Sequence, residues 1–305
     1  MDIRLHFDDM WLEFDPEDNV FTWILRQKHN VVLDPQNPNL VFTMNRRNYL
    51  NAFTVYYSPE PFFPDLQTID STYDYSMSGF FLDKPNYTRF PLYYSYLHEF
   101  IKVGLIDDLS FFLKESREIP SKTKFCSLVI GALHGKRSEF FHKLSRYKQV
   151  ETNAAPYHHF DIPYDSGHHS STVPKVDFVK KYKFNIAMEN NFRGTYPAFP
   201  GAEIENGCVK DLKGHMTEKL VEPFVAGTLP VYWGSKMIGD EFNSNTFLNY
   251  YDFGSEDDLI ERIIELDNDD DLYASYFSEA IAHTQNNALC ESHIISLFDD
   301  LISQL

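Results

Sequence analysis

Two polar clusters in this chain carry side chains that could hold an anion. The first, Glu189-Asn190-Asn191, ends the apolar run Phe184 to Met188. The second, Thr217-Glu218-Lys219, follows a long polar insertion. A threonine ahead of Glu-Lys and then Leu220, Val221 and Phe224 is the pattern of a capped helix start. First-turn amides and the helix dipole attract negative charge, and Lys219 adds a cation at the same place. A third stretch repeats the theme: the apolar run Phe125 to Ile130, Gly131, the basic pair Lys136-Arg137, then Phe140, Phe141 and Leu144 on one helical face. Phosphate binding is the chemistry such arrangements serve. The competing reading of the same residues is structural: Glu218 and Lys219 as ordinary first-turn charges, Lys136-Arg137 as a solvated pair, Glu189 as the partner of a buried cation.

The elements that must position these groups follow from the apolar pattern. Phe184 to Met188 predicts a buried strand, Thr217 opens a helix that Gly227 closes and Pro223 kinks, and Leu229 to Trp233 predicts a second buried strand ending at Gly234. Strand, polar exit, helix and strand form the unit that binds ligands at the carboxyl ends of parallel strands. Tyr232 and Trp233 fit either a core or a base-stacking position.

In the first half, Ile3, Leu5 and Phe7 alternate with polar residues as in a strand. Asp15 with Pro16 suggests an N-cap and first helical position, followed by an apolar stripe to about Lys28. Val31 to Leu33, Leu40 to Phe42 and Phe53 to Tyr57 read as strands. The last runs into Ser58-Pro59-Glu60-Pro61, where two prolines hold Glu60 in a stiff extended loop. Leu105 to Leu113 predicts a helix starting near Asp107, and the charged segment Lys114 to Lys124 a linker. Ser255 and Asp258 form a capping box before Leu259, Ile260, Ile263 and Ile264. The acidic run Asn268 to Asp271 follows a helix and reads as a solvated turn, not a metal-binding DxD. Cys290 to Leu305 predicts one long terminal helix.

At 305 residues, with 43% hydrophobic and 16% aromatic content, the chain can fill two α/β cores and is not of disordered type. A net charge of −18 opposes binding to nucleic acid or bare anionic lipid. Three well-separated cysteines, Cys126, Cys208 and Cys290, suit a reducing compartment. The start shows no signal peptide pattern and no apolar run is of membrane-spanning length, so a soluble cytoplasmic protein is expected, with peripheral membrane contact left open. His158-His159 and His168-His169 lack zinc-motif spacing. The polar region 151–175 that holds them, including the His-rich loop 157–169, is expected to be a loop near one of the substrates.

The ordered pattern FNIAMEN, TEK and AGTLPVYWGS resembles the signature of the α1,3/4-fucosyltransferases, glycosyltransferase family 10. The resemblance implies an α/β fold of GT-B type, two Rossmann-like domains facing a cleft: an N-terminal acceptor-binding domain (1–118), a GDP-fucose-binding domain (119–285) and a C-terminal helix (286–305) returning to the first. It implies inverting transfer of L-fucose from GDP-fucose to a GlcNAc- or LacNAc-containing glycan, with the 3-OH of GlcNAc as acceptor. Tyr57-Ser58-Pro59-Glu60 matches the family's Tyr-x-x-Glu, which makes Glu60 the implied general base. Asp74-Tyr75 and Phe90 to Tyr94 match its downstream pattern. Arg137 and Lys219 are then the cations on the diphosphate, Thr217 the cap of their helix, and Asn190, Glu218 and Glu189 further donor-site residues. No cofactor is required, although manganese can assist by screening the diphosphate. His215 departs from the tyrosine common before x-Thr-Glu-Lys. With Tyr196 in the long 191–215 insertion it is assigned to an acceptor-side lid. Animal members carry a Golgi membrane anchor, so a chain of this kind resembles bacterial or viral forms, or a trimmed catalytic domain. Another nucleotide sugar, or a binding module without turnover, are the alternatives.

Overall fold

The structure, a computed structural model, describes residues 2–11, 14–44, 49, 51–60, 66–133, 135–161, 172–190, 204–205, 208–209, 211–283 and 288–305. Its first lobe runs β1 (Asp2–Asp8), α1 (Val20–Arg26), β2 (Asn30–Leu33), β3 (Leu40–Thr43), β4 (Phe53–Ser58), α2 (Leu66–Thr72), β5 (Tyr75–Ser78), β6 (Tyr87–Arg89) and α3 (Tyr93–Lys102). The strands form one sheet in the order β2-β1-β3-β4-β5-β6, parallel throughout. Leu40, Val41, Phe42, Val55 and Tyr57 are fully enclosed, as expected for parallel strands covered on both faces. Because every strand points the same way, Glu60 after β4 and Gly79 after β5 leave the sheet at the same edge.

Two local expectations are corrected here. The cap of α1 is Asn19, not Asp15: Asn19 Oδ1 accepts from the Thr22 amide at 3.0 Å, and its Nδ2 donates to the Asp15 and Pro16 carbonyls. Asp15 to Asp18 is a turn that Asn19 ties down, because an asparagine can donate backwards while it caps forwards. The segment expected as a helix from about Asp107 is a short 3-10 turn, Leu109–Leu113, capped by Asp108.

The second lobe runs β7 (Lys124–Leu128), α4 (Gly135–Leu144), β8 (Val150–Thr152), α5 (Thr172–Val179), β9 (Tyr182–Met188), the small antiparallel pair β10 (Ile204–Glu205) and β11 (Cys208–Val209), α6 (Glu218–Val225), β12 (Leu229–Trp233), β13 (Leu248–Asn249), α7 (Glu256–Asn268) and α8 (Asp270–Ser275). Its sheet, β13-β12-β9-β7-β8, is also parallel. Gly227 closes α6 with a φ of +58°, and a Cβ there would fall 2.6 Å from Pro120 Cδ. Ser255 caps α7, accepting from the Asp258 amide at 3.2 Å. Asp269 caps α8 and Asp270 pairs with Lys183 at 2.7 Å, so the acidic run is a helix junction.

The predicted single terminal helix is two: α9 (Glu291–Ser296) and α10 (Asp299–Ser303), broken at Leu297-Phe298. The break lets Phe298 drop between the rings of Phe21, Phe42 and Phe90 in the first lobe. Lys28 to Asp299 at 2.6 Å and Tyr75 to Asp300 at 2.7 Å fasten the same seam. The larger hydrophobic cluster is shared between lobes: Leu220, Val221 and Phe224 of α6 join Tyr93, Leu97 and Phe100 of α3. Among the described residues no helix is long and apolar enough to cross a membrane.

Candidate active site

The parallel pairing of β12 with β9 sets Trp233 beside Met188, so both strands end together. Glu189 continues the ladder, its amide donating to the Trp233 carbonyl at 2.8 Å. Glu189 is fully enclosed, and its two carboxylate oxygens accept from the Thr217 amide and the Thr217 hydroxyl, each at 2.7 Å. A Cβ on Gly234 would lie 2.7 Å from Glu189 Cγ and 2.4 Å from the Tyr232 hydroxyl, so only glycine lets the strand end this close. The result is a clamp that fixes Thr217, the N-cap of α6, to the end of β9.

Lys219 lies against that clamp. Its ammonium is 3.1 Å from Thr217 Oγ1, 3.2 Å from Glu218 and 3.6 Å from Glu189. Burial opposes its charge, but the Glu218 and Glu189 carboxylates outweigh that and hold its pKa above the ordinary lysine range. Burial pushes the Glu218 carboxyl up, and Lys219, Lys175 and the Glu218 backbone amide outweigh it, leaving a pKa of about 2. Burial raises Glu189, with Lys219 opposing. Arg137, on the first turn of α4, is 4% exposed and donates to Asn190 Oδ1 at 2.9 Å and to the Ala132 carbonyl at 3.2 Å. Burial lowers its pKa while Glu189 and Glu218 oppose, and a guanidinium stays charged under such a shift. Arg137, Asn190, Glu189, Thr217, Glu218 and Lys219 are therefore one cluster, built from three elements of the second sheet. It presents two cations and a helix start toward the carboxyl edge, a geometry suited to a diphosphate.

Lys136, the other half of the basic pair, turns away from the cluster to Tyr250 at 2.6 Å and Glu256 at 2.9 Å. Tyr232 and Trp233 are both core residues.

The His215 side chain is 1% exposed and packs against Gly79 and Phe80 of the first lobe, which places it at the seam between the lobes. Its Nδ1 has no hydrogen-bond partner. Burial, then the charge of Lys219, push its pKa down to about 3, so the ring is neutral at physiological pH. Tyr196, His168 and His169 lie outside the described residues. His159 is spent locally, its Nδ1 accepting from the Thr152 amide at 3.1 Å. Among the described residues no three His, Cys, Asp or Glu side chains converge as a metal site.

Glu60 is exposed, two residues beyond Ser58, which pairs with Ser78. Gly79 follows Ser78, and a Cβ there would meet His215 Cα at 3.2 Å. The exit of β4 is thus one strand spacing, about 4.8 Å, from a strand whose exit touches the segment leading into Thr217.

Sequence reasoning missed the groups that fasten this seam. Arg89 donates to the Gly79 carbonyl at 3.0 Å and to the Gly214 carbonyl at 2.8 Å, and pairs with buried Glu241 at 2.5 Å. Glu241 also accepts from Tyr93. The Phe81 amide donates to the Lys213 carbonyl at 2.9 Å. Lys175 of α5, also missed, pairs with Glu222 and lies 3.9 Å from Glu218. These partners stand tens to hundreds of residues apart in the chain, so no local spacing announces them.

Two facing lobes, each with a parallel sheet, and a cationic helix start at the edge of the second make an α/β architecture of GT-B type. Residues 5–96 match the model of the alpha-(1,3)-fucosyltransferase FucT N-terminal domain, and residues 203–294 that of the glycosyltransferase family 10 (fucosyltransferase) C-terminal region. The chain belongs to glycosyltransferase family 10, the two matches together taking in more than half of it. It is 30% identical over 173 residues to the putative fucosyltransferase R654 of Acanthamoeba polyphaga mimivirus, covering 55% of this chain and 26% of that protein. To the alpha-(1,3)-fucosyltransferase FucT of Helicobacter pylori it is 25% identical, covering 86% and 56%. The chain thus spans between about a quarter and just over half of these curated relatives. A crystal structure of an alpha1,3-fucosyltransferase superposes with a TM-score of 0.70 at 21% identity, over 99% of this chain and 90% of that one. An alpha1,3-fucosyltransferase structure with GDP-fucose gives 0.68 at 22%, over 98% and 90%.

Proposed function

We propose that this chain transfers L-fucose from GDP-fucose to a glycan hydroxyl, the 3-OH of a GlcNAc unit, with inversion at the anomeric carbon. The observation that carries the reading is the cluster of Arg137, Asn190, Glu189 and Lys219 at the head of α6. Support for the donor comes from its cations and from the similarity to alpha1,3-fucosyltransferase structures with GDP and with GDP-fucose.

In this reading residues 1–118 take the acceptor, 119–285 hold the donor, and 286–305 return to the first lobe. Arg137, Lys219 and the first-turn amides of α6 meet the charge that builds on the departing diphosphate, an electrostatic role of the oxyanion-hole kind. Asn190 and Glu218 orient sugar or ribose hydroxyls. Glu189 acts at one remove: with both oxygens engaged by Thr217, it positions the cap and balances Lys219. Glu60, from the opposite lobe, takes the proton of the acceptor hydroxyl as that oxygen attacks the anomeric carbon from the face opposite the diphosphate. The C–O bond to GDP breaks with its electron pair going to the diphosphate. No metal is needed for charge balance, and manganese acts only as a screening ion.

The test is Glu60→Gln in a transfer assay from GDP-fucose to an N-acetyllactosamine acceptor, run beside a panel of other sugar nucleotides. A fall of about 10²–10⁴ in kcat with GDP-fucose binding unchanged is expected for a lost base. Full activity in the variant refutes the base, and turnover of a different sugar nucleotide refutes the donor.

A further inference from the structure

A cavity of about 210 Å³ opens in the first lobe between the β1–α1 connection and α3. Trp11 and Phe14 form its apolar wall, their rings edge to face at 4.7 Å. Asp18 and Glu99 supply carboxylates, with Lys102 3.1 Å from Asp18. Ser95, only 5% exposed, lines it as well. None of these groups enters the transfer chemistry above.

We propose that this cavity binds one neutral pyranose ring of the glycan acceptor, outside the unit that receives fucose. A pyranose has an apolar C–H face and a rim of hydroxyl donors. The Trp11 indole covers the face, and the carboxylate oxygens accept from adjacent hydroxyls in pairs. The volume lies below the ~300–1,000 Å³ typical of pockets for larger ligands, so it takes a ring and not a whole oligosaccharide. Acidic sugars are disfavoured, because Asp15, Asp18 and Glu99 face one lysine here.

The place fits the acceptor's path. The Ser95 hydroxyl lies beside the Tyr57 hydroxyl. Burial raises the Tyr57 phenol, the Ser95 hydroxyl opposes and the Glu60 carboxylate adds to the rise, so cavity floor and candidate base flank one side chain. The proposal rests on the fucosyltransferase reading only in naming the bound sugar as part of the acceptor.

The test has two readouts. In transfer assays, KM should fall as the acceptor grows from one to three N-acetyllactosamine units. Trp11→Ala and, as an isosteric control for folding, Glu99→Gln should each remove about tenfold of that gain while kcat and the KM for GDP-fucose stay unchanged. Length dependence that persists in both variants, or is missing in the parent, overturns the proposal. Binding is read separately from fluorescence, since the chain has three tryptophans. Tri-N-acetyllactosamine should change the parent's emission, its 3′-sialylated form less so, and Trp11→Phe should abolish the response. An unchanged response in Trp11→Phe, or none in the parent, overturns it even if no transfer is ever seen. Absent transfer with intact fluorescence binding would refute the enzymatic reading instead.

Discussion

The histidine at the lobe seam makes a prediction with a worked magnitude. His215 is buried, neutral and pushed down to about 3 from an ordinary 6.5, first by burial and then by Lys219. A depressed pKa means that the folded state refuses a proton the unfolded chain accepts. The stability tied to this residue is therefore complete above pH 6.5 and drains as pH falls toward 3. At pH 5 the unfolded side chain is almost fully protonated and the folded one is not. Linkage then gives a loss of about 2 kcal/mol from this residue alone between pH 7.5 and 5. His215→Phe keeps a planar ring against Phe80 and removes the titrating group. Urea unfolding of parent and variant at both pH values is the assay. Other groups that titrate in this range, such as Glu222, raised to about 7 by burial, act in both proteins and cancel in the comparison. The variant should show an acid loss smaller by about 2 kcal/mol. Equal losses in the two proteins would refute the burial argument for His215.

Other expectations concern the clamp and the seam. Thr217→Val removes the cap and the hydroxyl bond to Glu189 while the backbone amide bond stays, and should cost about 1–3 kcal/mol by denaturant midpoint while weakening GDP binding. Arg89→Met strands Glu241 in the seam without its cation, an expected loss of about 3–5 kcal/mol, and Glu241→Gln in the same chain should recover part of it.

The central βαβ unit was legible because its signals are local. An apolar run, a capping threonine, a closing glycine and a second apolar run each fall within a few residues, and β9, α6 and β12 follow them closely. The grouping of Arg137, Glu189 and Lys219 was legible for the same reason, its cations lying at helix starts and its carboxylate at a strand exit. What escaped was long-range. Asp15-Pro16 looked like the cap of α1, but the choice went to Asn19 through bonds on both sides of it. Nothing near Lys175, Arg89 or Glu241 signals their partners, which only the packing of two lobes brings together. His215 sits where sequence position suggested a substrate contact, yet closure against Gly79 encloses it. The terminal helix pattern was continuous in hydrophobicity, and its break at Phe298 answers to three aromatic rings contributed by the other end of the chain.

That break has a consequence for how the protein is made. Phe298 completes an aromatic stack whose other members, Phe21, Phe42 and Phe90, leave the ribosome first. Among the described residues the core of the second sheet takes nothing from beyond Phe277 and can close while synthesis is still under way. The first lobe must wait, with part of its core uncovered, until Phe298 has emerged. Nascent chains halted before residue 290 should therefore yield a protease-resistant fragment from the later half and a digestible earlier half.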